Sequence, residues 1–299
     1  MNKSRNLVKR LLLPIVLSGA LLGGYLAFDT NKKKNELDNY AQSIRNQGHQ
    51  VDQKIFHRNA ESILINILQK HEAHQGVEKA LQKSLEEASE KGLPSEIKEE
   101  LLGKYKNELL KINPIQEEIY KIVFDLSKHS IKPGVYLEGL AEDTFKVIDN
   151  SRKEANRLLD IIRQKLSPEQ YKKAMLELEK KWEDRFDNSD WLTKYQLLHI
   201  KKEINLHPAE DKSTNEEASR YLIENMSLGS TNKNSHYNHL IYTNREAIAM
   251  NYVGNGKEKV RVLIYGAHHN FEDDVKRWKE KNKDRKMNLL VVTPKTLRK

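Results

Sequence analysis

The sequence predicts an α/β fold, a mostly parallel sheet flanked by many helices, with a long helical insertion and an N-terminal membrane helix. Three observations carry this. Short apolar runs at 63–68 (ILINIL), 135–137 (VYL), 260–265 (VRVLIY) and 289–292 (LLVV) are separated by stretches of helical periodicity. Continuous apolar runs of that length suit strands buried on both faces, as in a parallel sheet covered by helices. Residues 11–28 (LLLPIVLSGALLGGYLAF) are uncharged and follow four basic residues, the pattern of an export or anchoring segment.

The N-terminal segment is expected to be an uncleaved signal anchor. No cysteine is present to form a lipobox. The nearest small-residue run for cleavage is Ser18-Gly19-Ala20, in the middle of the segment. Four basic residues precede the segment and Lys32, Lys33 and Lys34 follow it, a slight bias that places the N-terminus inside and the body on the extracytoplasmic side. Cleavage would instead release the body as a secreted protein. The chain is then read as an anchor over 1–34, a linker or stalk helix over 35–58, and an α/β domain over 59–299.

Charge narrows the partners. The chain carries +9, but residues 1–34 hold seven of the basic residues and one acid, Asp29, which leaves +3 for the rest. A body so nearly balanced is not expected to bind nucleic acid. The expected partners are the membrane, through residues 11–28, and a peptide or small-molecule ligand. The absence of cysteine excludes a disulfide framework, a thiolate metal site and a cysteine nucleophile.

Along the chain, residues 63–68 fit a buried strand or part of a helix, since periodicity alone does not separate the two. Residues 76–110 read as helix-rich, with a start at Pro94-Ser95 and a stripe of Ile97, Leu101, Leu102, Tyr105 and Leu109. A second start is expected at Asn113-Pro114, with Gln116 at the capping-box position and Ile115, Ile119, Ile122, Val123 and Leu126 as the apolar face. Lys132-Pro133-Gly134 is a turn, and the strand at 135–137 ends in Glu138-Gly139. Residues 155–186 are helical with a break at Ser167-Pro168, where Ser167 caps and Gln170 completes the box. A short strand at 204–206 ends in His207-Pro208-Ala209-Glu210-Asp211. A helix at 215–226 and a loop at 227–235 follow. Asn244 caps a helix through Val253, Asn255-Gly256 makes a tight turn, and Asn270 caps a helix through Lys281.

In a parallel sheet the polar groups beyond the carboxyl ends of the strands gather in one crevice. Candidates at such places are Glu138, Glu210 with Asp211, Arg245 with Glu246, and His268 with His269. Gly266 permits a sharp exit from the 260–265 strand, and the helix behind it offers free amides to anything beside His269. A carboxylate closing a buried strand must be solvated, paired or bound to a cation. An arginine opening a helix is disfavoured by the helix dipole and asks for an acid or an anionic ligand. On a helix, His71 and His74 would share a face and could hold a divalent ion, a loose pattern that is not H-E-x-x-H.

Taken in order, Val135-Tyr136-Leu137-Glu138-Gly139-Leu140, Arg245-Glu246-Ala247-Ile248-Ala249-Met250 and Leu263-Ile264-Tyr265-Gly266-Ala267-His268-His269 resemble the Tiki/TraB superfamily. That group includes the TraB/PrgY pheromone-shutdown proteins, the Tiki proteases, the ChaN-like haem-uptake proteins and the erythromycin esterases. The resemblance covers about 60–295. It implies that His269 takes the histidine role of the second G-x-x-H, with Glu138, Glu210 and Arg245 in the strand-end and helix positions. The first motif is degenerate here: in Leu68-Gln69-Lys70-His71 a leucine stands where the family has glycine.

The resemblance implies a membrane-anchored hydrolase acting on a peptide or ester. In the metal-assisted form His71, Glu138 and His269 hold a divalent cation, Glu210 or Glu138 acts as base, and Arg245 steadies developing negative charge. In the metal-free form a histidine with an adjacent carboxylate activates water directly. The degenerate first motif favours an alternative, a non-catalytic protein of the same fold that binds a peptide signal or haem. A further alternative is a membrane-anchored interaction protein that uses its Glu/Lys-rich helices.

Overall fold

The fold comes from a computed structural model that describes residues 36–57, 60–69, 85–86, 90, 95–129, 131–185, 191–214, 216–217 and 243–298. Helix α1 (36–46) leads into strand β1 (Gln50–Lys54) and then β2 (Ser62–Gln69). Helix α2 (Ser95–Ser127) precedes β3 (Gly134–Ala141), and α3 (Glu142–Lys165), α4 (Pro168–Arg185) and α5 (Trp191–Ile200) lead to β4 (Asn205–Glu210). The chain closes with α6 (Arg245–Asn255), β5 (Val260–Gly266), α7 (Phe271–Lys281), β6 (Met287–Thr293) and a short 3-10 turn (Lys295–Arg298).

The six strands form one mixed sheet in the order β1-β6-β2-β5-β3-β4. β2, β3, β4, β5 and β6 run parallel, and only β1 is antiparallel, against β6. The strands are short apolar runs because both faces are covered. Ile63, Ile65, Ile67, Val135, Leu137, Val262, Ile264, Leu290 and Val292 face α1, α2, α3 and α5. Leu64, Tyr136, Leu263, Tyr265, Met287 and Leu289 alternate with them to face α6 and α7. That settles the ambiguous 63–68 run as a central strand.

Several elements differ from the sequence reading. The expected linker or stalk is part of the body. α1 buries Leu37, Tyr40, Ala41 and Ile44 in the core, and β1 forms a sheet edge. The expected helix start at Asn113-Pro114 lies inside α2, which runs on through Pro114. The apolar face after it is buried as expected, and Ile112 joins it. β3 does not stop before Glu138. It continues to Ala141 through a register shift opposite β4, with Gly139 at φ +81°. β4 likewise runs through His207-Pro208 to Glu210, and Pro208 is tolerated because β4 is an edge strand. Asn244 makes no side-chain cap. The capping box at Ser167 and Gln170 forms reciprocally, at 3.3 and 3.0 Å, and Asn270 caps α7 through the Glu272 amide at 3.2 Å. The N-terminal membrane helix, His71, His74 and the 227–235 loop lie outside the described residues, as does most of the 215–226 helix. Among the described residues no helix is long and apolar enough to cross a membrane.

Candidate functional site

Four parallel strands deliver polar groups to one rim. Gln69 ends β2 and lies opposite Gly266 of β5 in register. Glu138 sits at the irregularity of β3, and Glu210 ends β4 opposite Ala141. The turn after β5 presents His269, and α6 opens with Arg245 and Glu246 on the same side as Tyr265.

Arg245 is the hub. Its Nε donates to Glu210 Oε1 at 3.1 Å and its Nη2 to Glu138 Oε1 at 3.1 Å, with a further short bond from Nη2 to Glu210 Oε1. Nη1 takes part in none of these bonds. The side chains of Arg245, Glu138 and Glu210 are 6%, 5% and 1% exposed, so the charges are shielded from solvent and depend on one another. Burial works against the Arg245 charge. Tyr265, Glu210 and Glu138 outweigh it and raise the guanidinium above its ordinary value.

The acids are held by further donors. Glu138 Oε2 accepts from the Gly266 amide at 2.8 Å and from the Gln69 amide group at 2.8 Å. Gln69 is in turn fixed by Gln116 of α2 at 3.0 Å. Gln116, expected in a capping box, thus serves the rim instead. Tyr265 donates to Glu210 Oε1 at 2.8 Å. Burial, then the neighbouring Glu210, pushes the Tyr265 hydroxyl well above the ordinary phenol range, which keeps it a donor. The Tyr265 ring lies under the Arg245 guanidinium at 5.5 Å and against the His269 edge at 4.7 Å.

His269 is fixed from α6. Its Nδ1 lies 3.1 Å from Glu246 Oε1, which also accepts from the Asn270 amide at 3.0 Å. A carboxylate accepts only, so Nδ1 carries the hydrogen and Nε2 faces Glu138 Oε1 at 4.0 Å. This carboxylate–imidazole arrangement is the usual way of orienting a histidine for proton transfer.

The structure therefore brings together Glu138, Glu210, Arg245, Glu246 and His269. Asp211 does not join them. It caps the turn after β4 through the Thr214 amide at 2.8 Å and the Ser213 and Thr214 hydroxyls. His268 is exposed beside the rim. Gln69, Gln116 and Tyr265 belong to the site, and the sequence reading assigns none of them to it, placing Gln116 only in a helix cap. The available signal was position: Gln69 and Tyr265 are at the last turns of adjacent strands, and Tyr265 shares its sheet face with the α6 helix. A cleft of about 660 Å³ runs between edge strand β4 and α6, from Asp211 to Gly256 and Glu258 of the loop that precedes β5. Tyr136, His207, Asp211 and Tyr252 line it, while Glu138, Arg245 and His269 do not.

A metal on His71, Glu138 and His269 would have to take Glu138 Oε1 from Arg245, because both Glu138 oxygens are engaged. Among the described residues no group of three or more acids and histidines is arranged to hold a metal ion. What these residues fit is a guanidinium between two acids.

No family model, no curated protein and no solved structure matches the chain.

Proposed function

We propose that this chain is a membrane-anchored hydrolase resembling the Tiki/TraB superfamily, which cleaves a peptide or ester by direct activation of water. The observation that supports it is the meeting of His269, oriented by Glu246, with Arg245 and two acids at the carboxyl ends of four parallel strands. His269 Nε2 takes a proton from water, and the water attacks the carbonyl carbon. Arg245 Nη1 meets the oxygen that becomes negative. The proton then passes from His269 to the leaving amine or alkoxide, which restores the base. Glu138 and Glu210 hold the guanidinium in place. Anchoring through residues 11–28, with the body on the extracytoplasmic side, belongs to the same reading and is supported by the uncharged run behind four basic residues.

The full chain is to be assayed against panels of peptide and ester substrates, with and without a chelator. His269→Ala is expected to lower turnover by about 10²–10⁴-fold, and a chelator is expected to have no effect. Turnover that survives in His269→Ala removes His269 from the mechanism. Turnover lost to the chelator, and restored by a divalent ion only when His71 is intact, supports the metal-assisted form instead.

One observation favours a second reading, non-catalytic binding of a peptide signal or haem. Both Glu138 oxygens are taken by Arg245, the Gly266 amide and Gln69, and Glu210 Oε1 by Arg245 and Tyr265, which leaves only the buried Glu210 Oε2 without a donor among the described residues. A Soret band on haem titration, lost in His269→Ala, with no turnover on any substrate, would select it.

A further inference from the structure

The near-balance of charge in the body conceals a polarity along the strands. Because β2 to β6 are parallel, the loops that precede them lie at one end of the sheet. The loops before β3, β4, β5 and β6 (128–133, 201–204, 256–259 and 282–286) hold nine Lys or Arg residues and three acids, Glu203, Glu258 and Asp284. Lys128, Lys202, Lys257, Lys259, Lys283 and Lys286 are exposed. Two of the three acids are engaged: Glu203 pairs with Lys128 at 3.5 Å, and Glu258 accepts from Asn205 at 3.0 Å and lies 2.9 Å from His207 Nε2. The loops lie level with one another. The Glu61 amide ahead of β2 donates to the Lys286 carbonyl at 2.8 Å, the Ile63 amide to the Lys259 carbonyl at 2.7 Å, and the Asn205 amide to the Pro133 carbonyl at 2.8 Å. From β6 to β4 the sheet is about 19 Å wide at about 4.8 Å between strands, so the basic residues form a row across its amino end. The carboxyl end is acidic by contrast: Glu142 and Asp143 follow β3, Asp211 follows β4, and Glu272 and Asp273 open α7 after β5.

The chain enters the body at the basic end. Asp38, near the start of α1, accepts from Gln53 near the end of β1 at 3.3 Å, and Arg45, near the end of α1, donates to the Val51 carbonyl at 3.0 Å. α1 therefore runs antiparallel to β1, which is itself antiparallel to β6, and the start of α1 lies toward the amino end of the parallel strands. The Tyr40 ring agrees with this, meeting His129 of the loop before β3 at 5.5 Å. Only residues 29–35 separate α1 from the uncharged run 11–28, and Lys32, Lys33 and Lys34 are among them. Seven residues reach at most about 25 Å.

We propose that the amino end of the sheet is a membrane-docking face, which lies on anionic lipid headgroups and turns the carboxyl-end rim away from the bilayer. This rests on the reading of 11–28 as an anchor, which keeps the basic row within reach of the headgroups, and it is independent of hydrolysis. Each exposed lysine near an anionic surface is attracted to it, and salt screens the attraction. The eight residues of β3 set the two ends about 25 Å apart, so the rim with Arg245 and His269 stands clear of the lipid.

The chain has no cysteine, so a single introduced one can carry a fluorophore. The full chain is placed in nanodiscs of phosphatidylcholine, or of equal parts phosphatidylcholine and phosphatidylglycerol, with a nitroxide-headgroup lipid as quencher. In the anionic discs quenching is expected for a label at Asp284→Cys, in the basic face, and not for one at Asp143→Cys, at the opposite end. Quenching at Asp284→Cys is expected to fall in the zwitterionic discs. Lys259→Glu, Lys283→Glu and Lys286→Glu together are expected to lower the docked-to-undocked ratio by more than about 10²-fold and to remove the quenching in anionic discs. Equal quenching at the two positions, or quenching at Asp284→Cys unchanged by lipid charge or by the three reversals, overturns the proposal. Tighter binding of duplex DNA than of phosphatidylglycerol vesicles, lost with the same reversals, gives the face to a nucleic acid and also overturns it. A carbonate wash separates this from the anchor. A chain extracted from both lipids removes the anchor, while its charge-dependent binding to phosphatidylglycerol vesicles still supports the face. A chain that resists extraction and is quenched equally at both positions keeps the anchor and loses the face.

Discussion

Arg245 is placed where a helix dipole opposes it, and its two acids are what make the position tenable. Both acids are buried, so their charges depend on that one guanidinium. Arg245→Met is expected to cost about 3–5 kcal/mol, because it strands two buried carboxylates. Adding Glu138→Gln and Glu210→Gln is expected to restore much of the loss. Urea unfolding of the single and triple variants checks both expectations. Arg245→Lys is expected to fail as a rescue, since an ammonium cannot reproduce the forked contacts. A second buried group sets the acid sensitivity. His199 of α5 accepts from the Leu206 amide at 3.1 Å through Nδ1, which locks the turn into β4. Burial dominates and pushes His199 down to about 4. The folded state therefore favours the neutral ring, while the unfolded chain titrates near 6.5. Stability from this group is complete above about pH 6.5 and is lost as pH falls toward 4, by about 3 kcal/mol. His199→Gln is expected to flatten the fall in urea midpoint between pH 6.5 and 4.

At the scale of elements, close approach decides where glycine is needed. α6 and α7 cross at Gly254, where an added Cβ would lie 2.1 Å from Trp278 Nε1. Gly254→Ala is expected to cost about 1–3 kcal/mol by overpacking, read as a lower thermal midpoint. Since α6 carries Arg245 and Glu246, the same change should also disturb the rim. Gly139 differs: an added Cβ meets nothing within 4 Å, but φ is +81°. Gly139→Ala is expected to cost about 1–2 kcal/mol from backbone strain alone, and it tests whether the β3 irregularity sets the aim of Glu138. The element boundaries that sequence missed have one cause. Caps and prolines are local signals, and packing overrode them at Asn113-Pro114 and at Asn244. The capping box at Ser167 and Gln170 survived because it is exposed and nothing competes with it.

For the whole molecule, α1 and β1 complete the core and cannot be treated as a tether. Leu37, Tyr40, Ile44 and Val51 together account for about 6–12 kcal/mol of burial at roughly 1.5–3 kcal/mol each. That is comparable with the entire stability of a domain, about 5–15 kcal/mol. A chain starting at residue 36 is expected to unfold cooperatively, whereas one starting at residue 59 is expected to collapse without a cooperative transition; circular dichroism on heating separates them. The sequence by itself determined the α/β class, the identity of four parallel strands and the main polar residues at their ends. Apolar runs and helical periodicity are properties of short windows, and burial on two faces leaves that signature wherever it occurs. Only the tertiary structure decided that Glu138 and Glu210 share Arg245, that Tyr265, Gln69 and Gln116 hold them there, and that Glu246 orients His269. These contacts join residues dozens to more than a hundred positions apart. Their partners are chosen by strand order and register, which no local pattern encodes.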